Sequence, residues 1–178
     1  MKHMLSKGYT HIYTGNGKGK TSAALGLAFR AAGSGFRSIV IQFMKGQPSG
    51  EIDAATKLGG LVTIEQFGSD RFCRPGDGSL DEHCALARKG MDRAHAAIAG
   101  GGYSIVILDE IITAAKFGIV SDKDIIALIK RKPGSVELVL TGRGASDELV
   151  AHADLVTEMR EIRHYYQNGV APRKGIED

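Results

Sequence analysis

The feature that most constrains this chain is the stretch at residues 14–22, TGNGKGKTS. It follows a short run of strand-forming residues, 10–13, and precedes an Ala- and Leu-rich segment, 23–32, that predicts a helix. A glycine-rich loop between a strand and a helix is the setting of a phosphate-binding loop. Its glycines let backbone N–H groups turn toward an anion, and the helix N-terminus adds a partial positive charge. The stretch therefore predicts a nucleoside triphosphate site.

The loop departs from the usual pattern G-x-x-x-x-G-K-[ST]. Thr14 occupies the position of the first glycine, and Lys18 adds a second positive charge inside the loop. In such loops the lysine before the Ser/Thr, here Lys20, reaches the outer phosphates, and the hydroxyl of Thr21 is a magnesium ligand. A glycine-rich turn without a ligand is the alternative interpretation.

The remaining composition excludes several classes of protein. A chain of 178 residues has the length of one domain, residues 1–178. The net charge of +3 is small and the basic residues are scattered, so no nucleic-acid surface is predicted. No stretch approaches the roughly 20 apolar residues of a membrane span, and the first residues lack the pattern of a signal peptide. The two cysteines suggest reduced thiols, and we expect a cytoplasmic protein.

Apolar runs alternate with helical patterns along the whole chain. Strands are predicted at residues 10–13, 37–43, 61–67, 103–108, 136–141 and 154–158, and helices at 20–32, 51–58, 80–99, 122–130 and 145–151. This alternation predicts an α/β fold of three layers around a mostly parallel sheet. The C-terminal ends of parallel strands share one edge, which is where ligands bind in open sheets. The glycine loop, Lys45, Asp109, Glu110, Gly142 and Arg143 are predicted to lie at that edge.

Asp109 and Glu110 follow the apolar run 105–108. An acid at the tip of a strand can hold a magnesium ion opposite Thr21. In hydrolytic phosphate-loop enzymes the second acid often positions the attacking water, which makes an ATPase of RecA type one hypothesis. Two acids that merely end a buried strand are the alternative. We find no Ser-His-Asp or Cys-His arrangement that would supply a nucleophile.

The sequence resembles the phosphate-loop family of cob(I)alamin (corrinoid) adenosyltransferases, in its short branch. The matching segments are TGNGKGKTSAALGLAFRAAGSG, IVIQFMKG, YSIVILDEI, VELVLTGR, ADLVTEMREIRHYYQNGV and RKGIE, in that order. The resemblance implies a RecA-like fold, a homodimer and a partner reductase for Co(II). It implies transfer of the 5′-deoxyadenosyl group of ATP to the Co(I) of a reduced corrinoid, cobalamin or cob(I)yrinic acid a,c-diamide, with release of triphosphate. ATP would be held in reverse relative to ordinary phosphate-loop enzymes.

The resemblance also implies roles for individual residues. The ATP ligands would be Gly15, Asn16, Gly17, Lys18, Gly19, Lys20, Thr21, Ser22, Arg30 and Arg143, the magnesium ligands Thr21, Asp109 and Glu110, and the catalytic residues Lys20 and Glu110. For Arg30 and Arg143, a plain surface arginine is the alternative.

The corrinoid contact departs from better-known members, which displace the corrinoid's lower ligand with aromatic residues that include a Trp. This chain has no Trp, and Phe72 is the candidate substitute. The alternative is that Phe72 packs beneath its loop. A nucleotide-dependent corrinoid carrier without catalysis is the third hypothesis, beside the transferase and the ATPase.

Overall fold

The computed structural model describes residues 4–69 and 79–177. Six strands form one sheet in the order β3-β2-β4-β5-β1-β6, and every pair is parallel. The strands are β1 Thr10–Thr14, β2 Ser38–Phe43, β3 Val62–Phe67, β4 Ile105–Asp109, β5 Glu137–Thr141 and β6 Leu155–Glu158. The helices are α1 Lys20–Gly33, α2 Gly50–Thr56, α3 Ser79–Ala99, α4 Ile111–Lys116, α5 Asp122–Arg131 and α6 Asp147–Val150.

The alternation of side chains along each central strand builds two separate cores. Ile39, Ile41 and Phe43 of β2 join one core with α3, α4 and α5, whereas Val40 points to the other face. The second core is formed by the alanine-rich face of α1 together with Ala55 of α2. Because both faces of the sheet are covered, β2 and β4 are buried at every residue, as continuous apolar runs predict. The predicted three-layer α/β fold is confirmed.

Small residues set the distance between α1 and the sheet. The face of α1 toward the sheet carries only alanines at its buried apolar positions, Ala24, Ala28, Ala31 and Ala32. Gly90 does the same for α3, since a Cβ there would lie 2.8 Å from the ring of Phe43. The alanine contacts hold α1, and with it the glycine loop, close to the sheet.

Two elements were not predicted. The short helix α4 begins directly after Glu110, and a 3₁₀ turn, Tyr165–Asn168, lies in the polar tail that follows β6, residues 159–177. A helix of 6 residues is too short to show an amphipathic period, so its pattern merges with the preceding strand. The sheet is also entirely parallel, where a mostly parallel one was expected.

The edge strand β6 is exposed at all of its residues. It continues into a tail that returns across the glycine loop. No helix in the described part of the chain is long and apolar enough to cross a bilayer.

Candidate nucleotide-binding site

The glycine loop has the predicted strand–loop–helix setting. β1 ends at Thr14, and α1 begins at Lys20 with Gly19 before it in a left-handed conformation, φ 118°. That conformation strongly favours glycine. The first turn of a helix leaves backbone N–H groups without partners inside the helix. At α1 these groups and the helix dipole face the same space as the loop, which suits an anion.

Lys20 is folded back into the loop. Its Nζ donates to the carbonyl oxygens of Gly15 and Gly17, each at 2.8 Å, and the residue is only 6% exposed. Burial lowers the pKa of Lys20, although the nearby carboxylate of Glu110 opposes this shift. The lysine is therefore held at the centre of the loop rather than extended into solvent.

Two of the loop glycines are required by the chain segment after β6. A Cβ on Gly15 would lie 2.4 Å from the carbonyl oxygen of Met159, and one on Gly17 would lie 2.8 Å from it. The N–H of Gly17 donates to that same oxygen at 2.7 Å. The expectation that the loop N–H groups turn toward an anion therefore does not hold at Gly17, because this N–H binds the tail.

Asp109 joins the loop to the centre of the sheet. It is fully buried at the end of β4, and its Oδ1 accepts hydrogen bonds from the hydroxyls of Thr21 at 2.8 Å and Thr141 at 2.7 Å. Its Oδ2 accepts from Lys45 Nζ at 2.9 Å and from Gln42 Nε2 at 3.2 Å. Buried carboxylates need such partners. Both oxygens of Asp109 are therefore engaged by protein donors.

Lys45, Gln42 and Glu51 extend this network on the side of β2. Gln42 also donates to Oε1 of Glu51 at 3.1 Å, and Lys45 Nζ lies 3.8 Å from that oxygen. Burial lowers the pKa of Lys45, but the charge and hydrogen bond of Asp109, together with the charges of Glu51 and Glu110, outweigh this effect, so the pKa is raised. Burial raises the pKa of Glu51, but the hydrogen bond from Gln42 and the charge of Lys45 leave the pKa lowered. Both side chains are therefore held in their charged forms.

The sequence carries a partial signal for this network. Lys45 was placed at the correct edge without a role, while Gln42, Glu51 and Thr141 were missed. Gln42 is a polar residue inside the buried strand SIVIQF, and that exception to the pattern was the available sign.

Glu110 lies just beyond the strand, with φ 61°, and precedes α4. Such a conformation is uncommon for a residue other than glycine and occurs often at functional sites. Its N–H donates to Thr141 Oγ1 at 2.9 Å, and its carboxylate accepts from the hydroxyl of Thr113. Unlike Asp109, Glu110 is partly exposed and lines the cleft.

A cleft of about 570 Å³ lies over the loop. Its walls are residues 17–22 of the loop and α1, Lys45 and Glu51 near β2, Glu110 and Arg143 after β4 and β5, and His164 with residues 175–177 of the tail. An apolar groove of about 320 Å³ between α1 and α2 adjoins it, with Leu25 and Glu51 lining both.

The cleft brings together most of the predicted site residues. The lining described for the cleft does not include Gly15, Asn16 or Arg30. Gly15 contributes its carbonyl to Lys20, and Arg30 is exposed in the last turn of α1. The part of the nucleotide that they would touch stays a prediction. Phe72 lies outside the described residues.

Arg143 lies on the rim of the cleft. Its side chain is exposed, and its backbone N–H donates to Thr113 Oγ1 at 2.9 Å. Thr113 thereby connects Arg143 to Glu110. The preceding Gly142 has φ 143°, and a Cβ there would lie 2.5 Å from the backbone nitrogen of Thr113.

The oxygen atoms around Thr21 are suited to bind a hard cation that phosphate also binds. The described residues contain no cluster of three or more His, Cys, Asp or Glu that would hold a metal without another ligand. Magnesium at nucleotide sites takes only one or two protein oxygens and completes its shell with phosphate and water. The hydroxyl of Thr21 and the carboxylate of Glu110 fit that requirement.

A family model and several named proteins match this chain over most of its length. A family model described as ATP:corrinoid adenosyltransferase BtuR/CobO/CobP matches residues 6–177. A protein named corrinoid adenosyltransferase from Sinorhizobium sp. is 34% identical over 174 residues, which are 96% of this chain and 80% of that protein.

Two further relatives are also named corrinoid adenosyltransferase. The one from Pseudomonas aeruginosa is 33% identical over 172 residues, 96% of this chain and 84% of its own length. The one from Escherichia coli strain K12 is 31% identical over 174 residues, 96% of this chain and 86% of its own length.

Proposed function

The chain belongs to the ATP:corrinoid adenosyltransferase family BtuR/CobO/CobP, and on that premise we propose that it transfers the 5′-deoxyadenosyl group of ATP to a reduced corrinoid. The observation that carries this proposal is the cleft itself. It is lined by Lys18, Lys20 and the N-terminus of α1 together with the carboxylate of Glu110. This arrangement suits the binding of a whole triphosphate.

The reaction needs no nucleophile from the protein. The Co(I) centre of the corrinoid attacks the ribose C5′ atom with its own electron pair. A Co–C bond forms, the C5′–O bond breaks, and the electron pair of that bond leaves on the triphosphate, while cobalt becomes Co(III). Consistent with this, no hydroxyl in the described lining of the cleft is hydrogen-bonded to a histidine.

The contribution of the protein is then positioning and charge. Negative charge grows on the departing triphosphate oxygen, and Lys20, Lys18 and the α1 N–H groups would stabilise it. Arg143 adds a positive charge at the rim. Preorganised donors of this kind contribute to catalysis because they need no rearrangement as charge develops.

We assign the magnesium site to Thr21 and Glu110. A bound magnesium ion would neutralise charge on the triphosphate. Asp109 already accepts four hydrogen bonds, so we propose that it orients Thr21 and Lys45 instead of binding the metal directly. The carboxylate of Glu110 accepts a hydrogen bond from Thr113 and faces the cleft.

The reversed orientation of ATP is part of the proposal. The polar cleft passes into the apolar groove at Leu25 and Glu51. We expect the uncharged parts of the substrates to lie on that side, away from Lys18 and Lys20. The carboxylate of Glu51 supports this direction, since it would repel a phosphate but accept hydrogen bonds from sugar hydroxyls.

Further features of the family remain proposals for this chain. They are a homodimer, a reductase that supplies Co(I), and contact of Phe72 with the corrinoid. ATP and a reducing environment are both required, so we expect the reaction to take place in the cytoplasm.

The test is an anaerobic assay with ATP, magnesium and chemically reduced cobalamin. The proposal predicts a photolabile alkylcobalt product, formed only when ATP is present and seen by its visible spectrum before and after illumination. ATP consumption without a cobalt–carbon product, at the same rate with and without corrinoid, would instead support the ATPase hypothesis.

A further inference from the structure

Residues 173–177 of the tail form a tight turn that has no role in the proposed function so far. Residues 173–177, RKGIE, turn back at Gly175, where φ is 77°. The N–H groups of Ile176 and Glu177 both donate to the carbonyl of Arg173, at 3.1 and 3.0 Å. The turn places three consecutive residues, Gly175, Ile176 and Glu177, in the wall of the cleft.

The carboxylate of Glu177 accepts most of the side-chain hydrogen bonds of this turn. It accepts from the backbone N–H of Arg173 at 2.8 Å, from the guanidinium of Arg173 at 3.1 and 3.3 Å, and from the hydroxyl of Tyr165. Hydrogen bonds from Arg173 and then Tyr165 lower the pKa of Glu177 to about 2. The carboxylate is therefore charged at any physiological pH.

The turn contacts the glycine loop through the side chain of Lys18. The Nζ atom of Lys18 donates to the carbonyl oxygen of Ile176 at 3.0 Å and lies 3.5 Å from Oε1 of Glu177. The side chain of Lys18 is 41% exposed, so without these two oxygens it would sample many rotamers. With them, it is held at the wall of the cleft.

The charges allow Lys18 to bind an anion while it is held. Arg173 already pairs with Glu177 through backbone and guanidinium groups, so the group of Lys18, Arg173 and Glu177 retains a net charge of +1. An ammonium group has three donors, and the contacts to Ile176 and Glu177 leave capacity for a phosphate oxygen.

We infer that Glu177 is a positioning residue for Lys18, and that the tail thereby sets the affinity of the cleft for the triphosphate. The inference rests on the proposed function only in taking triphosphate as the anion. The contacts themselves join two segments 158 residues apart in the chain. They explain why a basic residue is useful at an otherwise exposed position of the loop.

The test is a double-mutant cycle on the full chain, with inorganic triphosphate as the probe and calorimetry as the measurement. We expect Glu177→Gln to weaken binding by about tenfold, because a neutral amide no longer fixes the ammonium group. Lys18→Met should weaken binding at least as much. The double variant should bind no more weakly than Lys18→Met, since both changes remove the same interaction.

A second variant and a control separate positioning from general damage. Arg173→Gln, which loosens Glu177, should act in the same direction as Glu177→Gln. Glu161→Gln changes an exposed tail carboxylate that contacts Gln167 and should leave affinity unchanged. In turnover assays Glu177→Gln should raise the KM for ATP while leaving the KM for the corrinoid unaltered.

Unchanged or tighter triphosphate binding in Glu177→Gln would overturn the inference, as tighter binding would mean that the carboxylate competes with the anion. Full additivity in the cycle would overturn it too. The outcome is separable from the proposed function. An additive cycle in an enzyme that releases triphosphate refutes only the positioning role, and a coupled cycle in a protein that releases ADP refutes only the transferase.

Discussion

The hydroxyl of Thr21 donates a 2.8 Å hydrogen bond to Oδ1 of Asp109, which ties the first turn of α1 to the end of β4. The same carboxylate binds the ammonium group of Lys45 on its other oxygen. One buried residue therefore orients groups on both sides of the cleft. The two neighbouring acids differ in consequence: Asp109 is saturated inside the protein, and Glu110 faces the cleft.

That difference predicts different effects for two conservative substitutions, one on stability and the other on the magnesium requirement. Asp109→Asn removes the negative charge of a fully buried residue that pairs with the partly buried ammonium group of Lys45, so we expect a loss of about 2–4 kcal/mol in the free energy of unfolding. Glu110→Gln should leave that free energy within about 0.5 kcal/mol and mainly raise the magnesium concentration needed for turnover. Urea unfolding and magnesium titration of activity measure the two. Equal destabilisation by both variants would contradict the division of roles.

Lys20→Ala should reduce kcat/KM for ATP by at least about 100-fold, the scale of losing a preorganised charge at a developing anion. Steady-state kinetics with saturating reduced corrinoid give the number. Lys57→Ala, at the exposed C-terminal end of α2, is the matched control and should behave as wild type. Activity within a few-fold of wild type in Lys20→Ala would show that the loop is misassigned.

The fold and the loop were predictable because their signals are local. Buried runs such as IVIL and a strand–glycine–helix junction can be recognised from a few consecutive residues. The requirement for glycine at positions 15 and 17 was not predictable from local sequence, because it depends on contact with Met159, far away in the chain. The roles of Gln42, Thr141 and Glu51 likewise depend on strands that become neighbours only in the folded sheet.

Gly17→Ala tests the contact with Met159. The new Cβ would meet backbone at 2.8 Å, so we expect destabilisation of about 1–3 kcal/mol and a lower Tm. Gly102→Ala is the control, since a Cβ there meets no atom within 4 Å. A Tm for Gly17→Ala equal to that of Gly102→Ala would mean that the tail does not cross the loop as described.

The ion pair between Lys45 and Asp109 predicts a dependence on alkaline pH. The pKa of Lys45 is raised above the ordinary lysine value of about 10.4, so the folded state binds this proton more tightly than the unfolded chain. The stabilisation is therefore complete below that value and is lost as pH rises through the raised pKa.

The corresponding experiment compares wild type with Lys45→Met by urea unfolding from pH 7 to 11. The difference in unfolding free energy should stay constant to about pH 10 and shrink above it. Lys57→Met, an exposed lysine, corrects for general titration. A difference that already declines between pH 7 and 9 would contradict the assigned shift.

The central claim is that the cleft binds the triphosphate of ATP so that the C5′–O bond breaks and every P–O–P bond survives. Phosphorus NMR of the products formed from ATP, magnesium and reduced corrinoid tests it most directly. The account predicts inorganic triphosphate in an amount equal to the alkylcobalt product. ADP with inorganic phosphate as the main products would contradict it.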